Sequence, residues 1–192
     1  MTFLNWLTLW LKWFAFLIIN LTTNLLSFPL APFVVLFADK QGWLPIYLWW
    51  FQTPDNSLDG DKDWQTLYRP YRAETNRYQR WINRIYWLWR NRLCGFSQSV
   101  LGIQYNAQTD TITWRGDLDI GNGPGAKAGW FFKTVKRGNR IIAFQWYWIR
   151  QYKARPQSCI RVLIGWKCPR PGDPDKIASF GFSPSPLMHF NS

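Results

Sequence analysis

An apolar stretch at the N-terminus constrains this chain more than any other feature of its sequence. Residues 3–38 contain a single charged side chain, Lys12, and the next charge along the chain is Asp39. Residues 3–19 are apolar almost all round, which predicts a helix. Continued to Leu26, this helix is about 36 Å long at ~1.5 Å per residue, enough to cross a hydrocarbon core of ~30 Å with some tilt. The stretch therefore predicts attachment to a membrane.

Polar residues inside the stretch leave the mode of attachment open. Asparagines and one lysine weigh against a clean span, because an ionised lysine near the bilayer centre costs ~2.5–3.5 kcal/mol unless it snorkels. These residues are Asn5, Lys12, Asn20 and Asn24. A helix lying in the interface is the other possibility, with tryptophans of one helical face as interface residues: Trp6, Trp10 and Trp13. A buried hairpin in a soluble oligomer is the alternative without a membrane.

Two prolines are expected to end this helix. Pro29 and Pro32 each lack the N–H that a helix interior requires. The apolar residues 33–38 after them could return toward the starting side as a re-entrant segment. The segment before the apolar run has no Lys or Arg and no small-x-small site follows, so a secretory signal peptide is not predicted.

Charge is distributed unevenly along the chain. Lys12 is the only one of the 23 basic side chains before residue 39, so the remainder carries 22 basic and 11 acidic residues within a net charge of +12. Such a surface attracts the phosphates of anionic lipid or of nucleic acid. Cationic flanks resist translocation, which predicts a cytoplasmic position for the basic part. Three cysteines without a CxxC pair indicate reduced thiols, in agreement with that position.

Residues 46–63 mark the change from the apolar stretch to the basic remainder. Aromatic side chains that favour the lipid–water boundary come first, and we expect them at a membrane interface: Trp49, Trp50 and Phe51. The aspartates that follow match the first nine positions of a calcium loop: Asp55, Ser57, Asp59, Asp61 and Asp63. Position twelve is Thr66 instead of a bidentate carboxylate. A turn whose side chains cap backbone amides is therefore favoured over a metal site.

An arginine-rich segment follows at residues 69–92. It contains seven arginines and one glutamate, and its apolar residues recur at three- and four-residue spacing, which predicts an amphipathic helix. Three arginines between the apolar positions are predicted to face phosphates: Arg77, Arg80 and Arg84. The alternative is a surface helix whose apolar stripe covers the core of its own domain.

The C-terminal half changes to a period of two, which predicts strands. The strands are expected at Val100–Tyr105, Thr111–Arg115, Trp130–Lys136, Arg140–Trp148, Cys159–Lys167 and Ile177–Phe182. Gly138 and Asn139 predict a tight hairpin between two of them. The predicted fold class is α+β: hydrophobic N-terminal helical segments, one basic amphipathic helix, and an antiparallel sheet of five or six strands. The predicted domains are a membrane-associating segment 1–38, a connector 39–68 and a basic domain 69–192.

Neither an enzyme nor a cofactor site is predicted. The G-N-G-P-G run at 121–125 lacks the Lys-Ser/Thr of a phosphate loop, and His189 has no nucleophile partner in the sequence pattern. Asp117 and Asp119 could pair as general acid and base, but alternate residues of any strand point to the same side, so their spacing does not indicate catalysis. The predicted strands carry both aromatic rings and cationic side chains, as proteins that bind single-stranded nucleic acid do, so nucleic acid is an alternative partner. They are Trp114, Arg115, Trp130, Lys133, Trp146, Trp148 and Arg150.

Five short motifs follow one another along the chain: F-Q-T-P-D-N-S-L-D-G-D at 51–61, W-L-W-R-N at 87–91, G-F-x-x-S-V-L-G at 95–102, N-G-P-G at 122–125 and F-x-F-S-P-x-P at 180–186. In this order they resemble a family of small, uncharacterised proteins of tailed bacteriophages. The resemblance implies phage origin and a hydrophobic N-terminus, with no assigned activity. The expected function is a phage accessory protein at the host inner membrane, which interacts with anionic lipid or with a phage or host protein. Self-association is left open. The alternative is a virion component that packs through its N-terminus and turns a basic face to packaged DNA.

Overall fold

The computed structural model describes residues 3–68 and 76–190, which divide into two compact units. The sheet unit comprises Met1–Leu17 and Leu101–Ser192, and the helical unit comprises Ile18–Val100. The division falls within the first helix. The domain boundaries that the sequence suggested, at residues 38 and 68, stay a prediction. Part of the predicted arginine helix, residues 69–75, lies outside the described residues.

Helix α1 runs from Phe3 to Val34 and contains both Pro29 and Pro32. The expectation that the prolines end the helix is therefore wrong. Proline at position 32 leaves the carbonyl of Phe28 without its helical donor, and the indole N–H of Trp89 donates to that carbonyl at 2.9 Å. The carbonyl of Pro32 lies in the last turn, where helical donors run out, and it accepts the indole N–H of Trp81 at 3.0 Å. Two side-chain donors from elsewhere in the helical unit thus satisfy the carbonyls at this end.

Replacing Trp81 by phenylalanine is expected to lower the free energy of unfolding by about 1–2 kcal/mol. The change removes the donor to the Pro32 carbonyl and leaves a smaller ring in a partly buried position. Urea denaturation in mild detergent measures the loss. Trp43→Phe, at an indole that is 42% exposed, is the matched control. Equal unfolding midpoints for the two variants would contradict the role of the Trp81 donor.

The rest of the helical unit is made of short elements around a small core. Two 3-10 turns lie at Val35–Phe37 and Trp49–Phe51, and a π-helical turn lies at Trp64–Tyr68. Helix α2, Arg77–Arg90, begins where the side chain of Asn76 accepts the N–H of Gln79, and α3 covers Cys94–Ser99. Buried apolar side chains from these elements and from α1 form the core, among them Ala31, Val35, Leu58, Ile85, Trp87 and Leu88.

The sheet unit contains seven strands within the described residues. They are β1 Ile103–Tyr105, β2 Asp110–Gly116, β3 Gly129–Arg137, β4 Arg140–Tyr152, β5 Arg155–Trp166, β6 Lys176–Ala178 and β7 Phe180–His189. Among them β2-β3-β4-β5-β7 form one antiparallel sheet, while β1 pairs with β6 in a separate ribbon. The predicted α+β class is confirmed. The segment predicted as one strand at Ile177–Phe182 belongs to two strands, one in each sheet.

The predicted tight hairpin joins β3 to β4. Arg137 pairs with Arg140, so only Gly138 and Asn139 lie between the strands, and Gly138 has a φ of 57°. A left-handed backbone angle at that position suits glycine, which has no Cβ to clash with the following carbonyl. The hairpin places β3 and β4, which are both rich in aromatic residues, side by side.

Candidate membrane-binding surface

The tryptophans of α1 pack on the protein's own sheet. Trp13 is buried, with its ring centroid 6.3 Å from that of Phe180, and the ring centroid of Trp10 is 4.5 Å from that of Phe144. Trp6 is half-buried, 6.1 Å from Phe132 by the same measure. The burial of Trp13 contradicts a membrane interface at that residue, whereas for Trp6 and Trp10 the interface stays a prediction. The three rings attach residues 3–17 to the aromatic face of the sheet, and Trp10 keeps 43% of its surface exposed.

The register of the strands explains why an aromatic face is available. Residues directly opposite in an antiparallel pair lie on the same face. Phe132 pairs with Trp146, and Trp146 with Ile164, which pairs with Phe182. Apolar side chains thus form a row across four strands on the face that α1 covers.

The remaining sides of α1 expose apolar side chains. In the sheet unit the exposed ones are Phe3, Leu4, Leu7, Leu11 and Phe14. In the helical unit they include Ile18, Leu21, Leu25, Leu26 and Phe33, followed by Leu36 and Phe37. We call these residues the apolar face of α1. Leu11 is 62% exposed and Leu25 is 75% exposed, so large side chains are in water on a helix whose other side is already packed.

Within the described ranges one helical stretch, Phe3–Phe37, is long and apolar enough to cross a membrane. Its most apolar window has a mean hydropathy of 1.6, and only 11% of that window is buried. The core helix of a soluble protein can be as long and as apolar, but it is mostly buried. The low burial of this helix, more than its length, therefore distinguishes it from the core helix of a soluble protein.

Cations border the apolar face in the sheet unit. Lys12, Arg137 and Arg140 line a groove of about 530 Å³ together with Leu4 and other α1 side chains. The guanidinium of Arg137 donates two hydrogen bonds of 2.7 Å to Asp110, and this lowers the pKa of the Asp110 carboxyl below its usual value. Asp110 therefore stays ionised at neutral pH and holds Arg137 in place, while half of the Arg137 side chain faces solvent.

Cations also adjoin exposed apolar residues in the helical unit. Lys40, Arg77 and Arg80 line a groove of about 420 Å³ with Leu36 and Trp81. We call it the α2 groove. Lys40 and Arg77 are exposed and Arg80 is half-buried. That Arg77 and Arg80 face phosphates stays a prediction.

Arg84 is buried inside the helical unit, which contradicts the prediction that it faces phosphates. Its side chain is 7% exposed and donates two hydrogen bonds to the Asp59 carboxylate, at 2.7 and 3.0 Å. It also donates to the carbonyls of Asp39 and Lys40, at 3.1 and 3.3 Å. A buried guanidinium needs such partners, and these four hydrogen bonds engage all three of its nitrogens.

The aspartate run forms a structural turn. Asp59 binds Arg84, and Asp61 accepts the N–H of Trp64 at 2.7 Å, at the start of the π-helical turn. The hydroxyl of Ser57 accepts the N–H of Asp59 at 3.4 Å. Within the described residues no group of three acidic, histidine or cysteine side chains is placed to hold a metal ion. The oxygens of this loop instead organise the chain beneath α2.

The aromatic residues at 49–51 are only partly exposed. Trp50 is 46% exposed, whereas Trp49 and Phe51 are half-buried and Phe51 packs against the core of the helical unit. Helix α3 lies so close to this turn that a Cβ on Gly95 would come within 2.7 Å of the Trp49 carbonyl. Of the three residues predicted at a membrane interface here, Trp50 offers the most surface.

The residues considered for nucleic acid divide between the two faces of the sheet. Trp130 pairs with Trp148, and the rings of Trp146 and Trp148 are parallel within 5°, 6.5 Å apart. Arg115 pairs with Phe132 and so lies on the same face, and Arg150 lies two residues beyond Trp148. Trp114 pairs with Lys133 on the opposite face. Trp130, Trp146 and Trp148 therefore lie on one face of the sheet, together with Arg115 and Arg150. We call the three tryptophans the indole cluster.

A family model matches residues 5–191, almost the whole chain. The chain belongs to DUF7338, a family of unknown function. Comparison with curated proteins gives no match, and comparison with solved structures gives none either. Membership thus assigns no activity to any residue of this DUF7338 protein.

The reactive side chains of this DUF7338 protein are mostly occupied or buried. Lys133 is 4% exposed, donates to the carbonyls of Cys168 and Pro169, and has its pKa lowered by burial. Burial raises the pKa of the Cys168 thiol to about 12, so the thiol stays protonated at neutral pH and is a poor nucleophile. Asp119 is exposed and accepts a 3.3 Å bond from Arg170. These contacts serve the packing of the sheet unit.

Proposed function

We propose that this protein attaches to a membrane through the apolar face of α1, with the helix lying in the plane of the interface. The observation that carries the proposal is the two-sided packing of α1. Trp6, Trp10 and Trp13 pack on the sheet, while residues such as Leu4 and Leu11 expose apolar surface. A helix with a sheet packed along one side cannot be surrounded by lipid there, which favours an interfacial helix over the span that the sequence left open.

The charge distribution supports an anionic lipid surface as the partner. Lys12 and Arg140 lie beside the apolar face in the sheet unit, and Lys40 and Arg77 lie beside it in the helical unit. In an interfacial helix the apolar side chains enter the acyl boundary while adjacent cations meet head-group phosphates. A second copy of this chain would bring the same cations together and would gain no such attraction.

The biological role that we propose is that of an accessory interaction protein of a tailed bacteriophage at the host inner membrane. The resemblance of the short motifs supports phage origin. The net charge of +12 and three cysteines without a CxxC pair support a cytoplasmic position for the sheet unit. In this position the exposed surface away from the lipid is available to a phage or host protein.

Flotation with preformed vesicles tests the mode of attachment. The full-length chain, diluted from detergent, is expected to float with phosphatidylglycerol vesicles and to float less with phosphatidylcholine. An N-terminal epitope tag is expected to remain open to protease added outside the vesicles, because an interfacial helix leaves both ends on one side. Protection of the tag would indicate a span, and absence of the chain from the floating fraction would refute membrane attachment.

DNA binding by a virion component is the second candidate function, and the indole cluster is the observation that favours it. Trp130 is 49% exposed and Trp146 is 37% exposed, and bases stack on such rings when cations hold the backbone nearby. Mass spectrometry of detergent-washed phage particles, beside fractionated infected cells, distinguishes the two roles. A stoichiometric amount in particles would favour the virion role.

A further inference from the structure

The α2 groove has the composition of a site for a phosphate group. Three cations, Lys40, Arg77 and Arg80, surround a concavity of about 420 Å³. The other lining residues are mainly apolar, Val35, Leu36, Ala38, Tyr78 and Trp81, together with Asp39 and Arg84. We propose that this groove binds the terminal phosphate of a phosphomonoester lipid head group, with the apolar wall beside the glycerol and acyl chains. The inference deepens the proposed membrane role and rests on it for the source of the phosphate.

The start of α2 supports an anionic occupant. Arg77 and Arg80 lie in its first turn, where no acidic residue is present. The N-terminus of a helix carries partial positive charge, so an anion near it is stabilised. A phosphate in the groove would receive the attraction of both arginines and of the helix terminus.

Buried contacts hold the opposite wall of the groove in place. Arg84 donates to the carbonyls of Asp39 and Lys40 and thereby fixes the backbone that carries the Lys40 side chain. Its own charge is compensated by Asp59, so it acts as a positioning residue. Asp39 also lines the groove, and one oxygen of its carboxylate accepts the N–H of Trp43 at 2.8 Å.

A concave site favours a monoester over a diester. A monoester phosphate is terminal, carries close to two negative charges at neutral pH and presents three oxygens. Cations on several walls can approach those oxygens together, and arginine matches them with paired donors. The diester of phosphatidylglycerol carries one charge and has a substituent on either side, so it gains less from enclosure.

The test compares phosphatidic acid with phosphatidylglycerol vesicles adjusted to equal zeta potential. We expect the full-length protein to bind the phosphatidic acid vesicles about tenfold more tightly, because the surface attraction is equal for the two vesicles and only the charge-assisted hydrogen bonds to the monoester differ. Lys40→Gln/Arg77→Gln is expected to reduce this ratio to near one. Lys153→Gln/Arg155→Gln removes the same charge from exposed positions at the β4–β5 turn and is expected to keep the ratio.

The outcomes separate the groove from the membrane role. A ratio near one for the unaltered protein, or a ratio that survives Lys40→Gln/Arg77→Gln, overturns the assignment of the groove while leaving membrane attachment intact. Absence of binding to either vesicle overturns the membrane role, and glycerol 3-phosphate then tests the groove by titration calorimetry. Saturable binding that is lost in Lys40→Gln/Arg77→Gln would support a site for a free phosphomonoester, and no binding would refute the groove.

Discussion

Replacing Arg84 by glutamine is expected to lower the free energy of unfolding by about 3–5 kcal/mol, because removing one partner leaves the other charge buried and unpaired. The Asp59 carboxylate would lose both of its bonds to the guanidinium, in a place where its side chain is only 16% exposed. The carbonyls of Asp39 and Lys40 would lose their donor as well. Urea denaturation of the purified chain in mild detergent measures the change.

A double substitution separates the ion pair from simple loss of packing. Asp59→Asn/Arg84→Gln removes both charges, so it is expected to be more stable than Arg84→Gln alone. Arg150→Gln, at an exposed position, is the control for removal of an arginine and is expected to change stability by less than about 0.5 kcal/mol. A similarly small effect of Arg84→Gln would contradict a buried role.

The position of Arg84 shows what helical periodicity can and cannot predict. The spacing of apolar residues correctly indicated a helix, and α2 covers Arg77–Arg90. The same spacing grouped Arg84 with Arg77 and Arg80, but its partner Asp59 lies 25 residues earlier in a turn that no local pattern links to it. The competing interpretation of that turn as a calcium loop used the same carboxylate. Only the folded chain decides between the two uses.

The prolines of α1 illustrate the limit of local propensity. A proline removes one helical hydrogen bond and is expected to end a helix in isolation. Here Trp81 and Trp89 donate to carbonyls at this end of α1 from 49 and 61 residues away. The helix continues past Pro29 and Pro32 with these contacts at its end. The sequence wrongly predicted a break because no local pattern shows such tertiary contacts.

An aromatic stripe has the same sequence pattern whether it packs on protein or on lipid. The strands were predictable because alternation is local, and five of them form the sheet in the described residues. Trp13 packs against Phe180 because that face of the sheet is available to α1. The pairing of strands more than a hundred residues later in the sequence determines which side chains lie on that face. The membrane proposal therefore rests on the exposed side chains of the apolar face of α1.

Two substitutions in the apolar face, Leu11→Glu and Leu25→Glu together, are expected to weaken binding to anionic vesicles by at least about a hundredfold. The two leucines are 62% and 75% exposed, one in each unit, so neither substitution removes a buried contact of comparable size. Each leucine that enters the acyl boundary contributes about 1.5–3 kcal/mol, and two contribute enough for this change in affinity. Flotation at increasing lipid concentration measures the partition coefficient.

A matched control keeps this test specific for the apolar face of α1. Val100→Glu/Leu187→Glu adds the same two negative charges at positions that are 47% and 74% exposed, again one in each unit. Electrostatic repulsion from the vesicle lowers the affinity of both double variants, so only the difference between them reports insertion. We expect the control to lose about tenfold or less. Equal losses for the two pairs would mean that charge alone drives binding, and the interfacial position of α1 would then have to be abandoned.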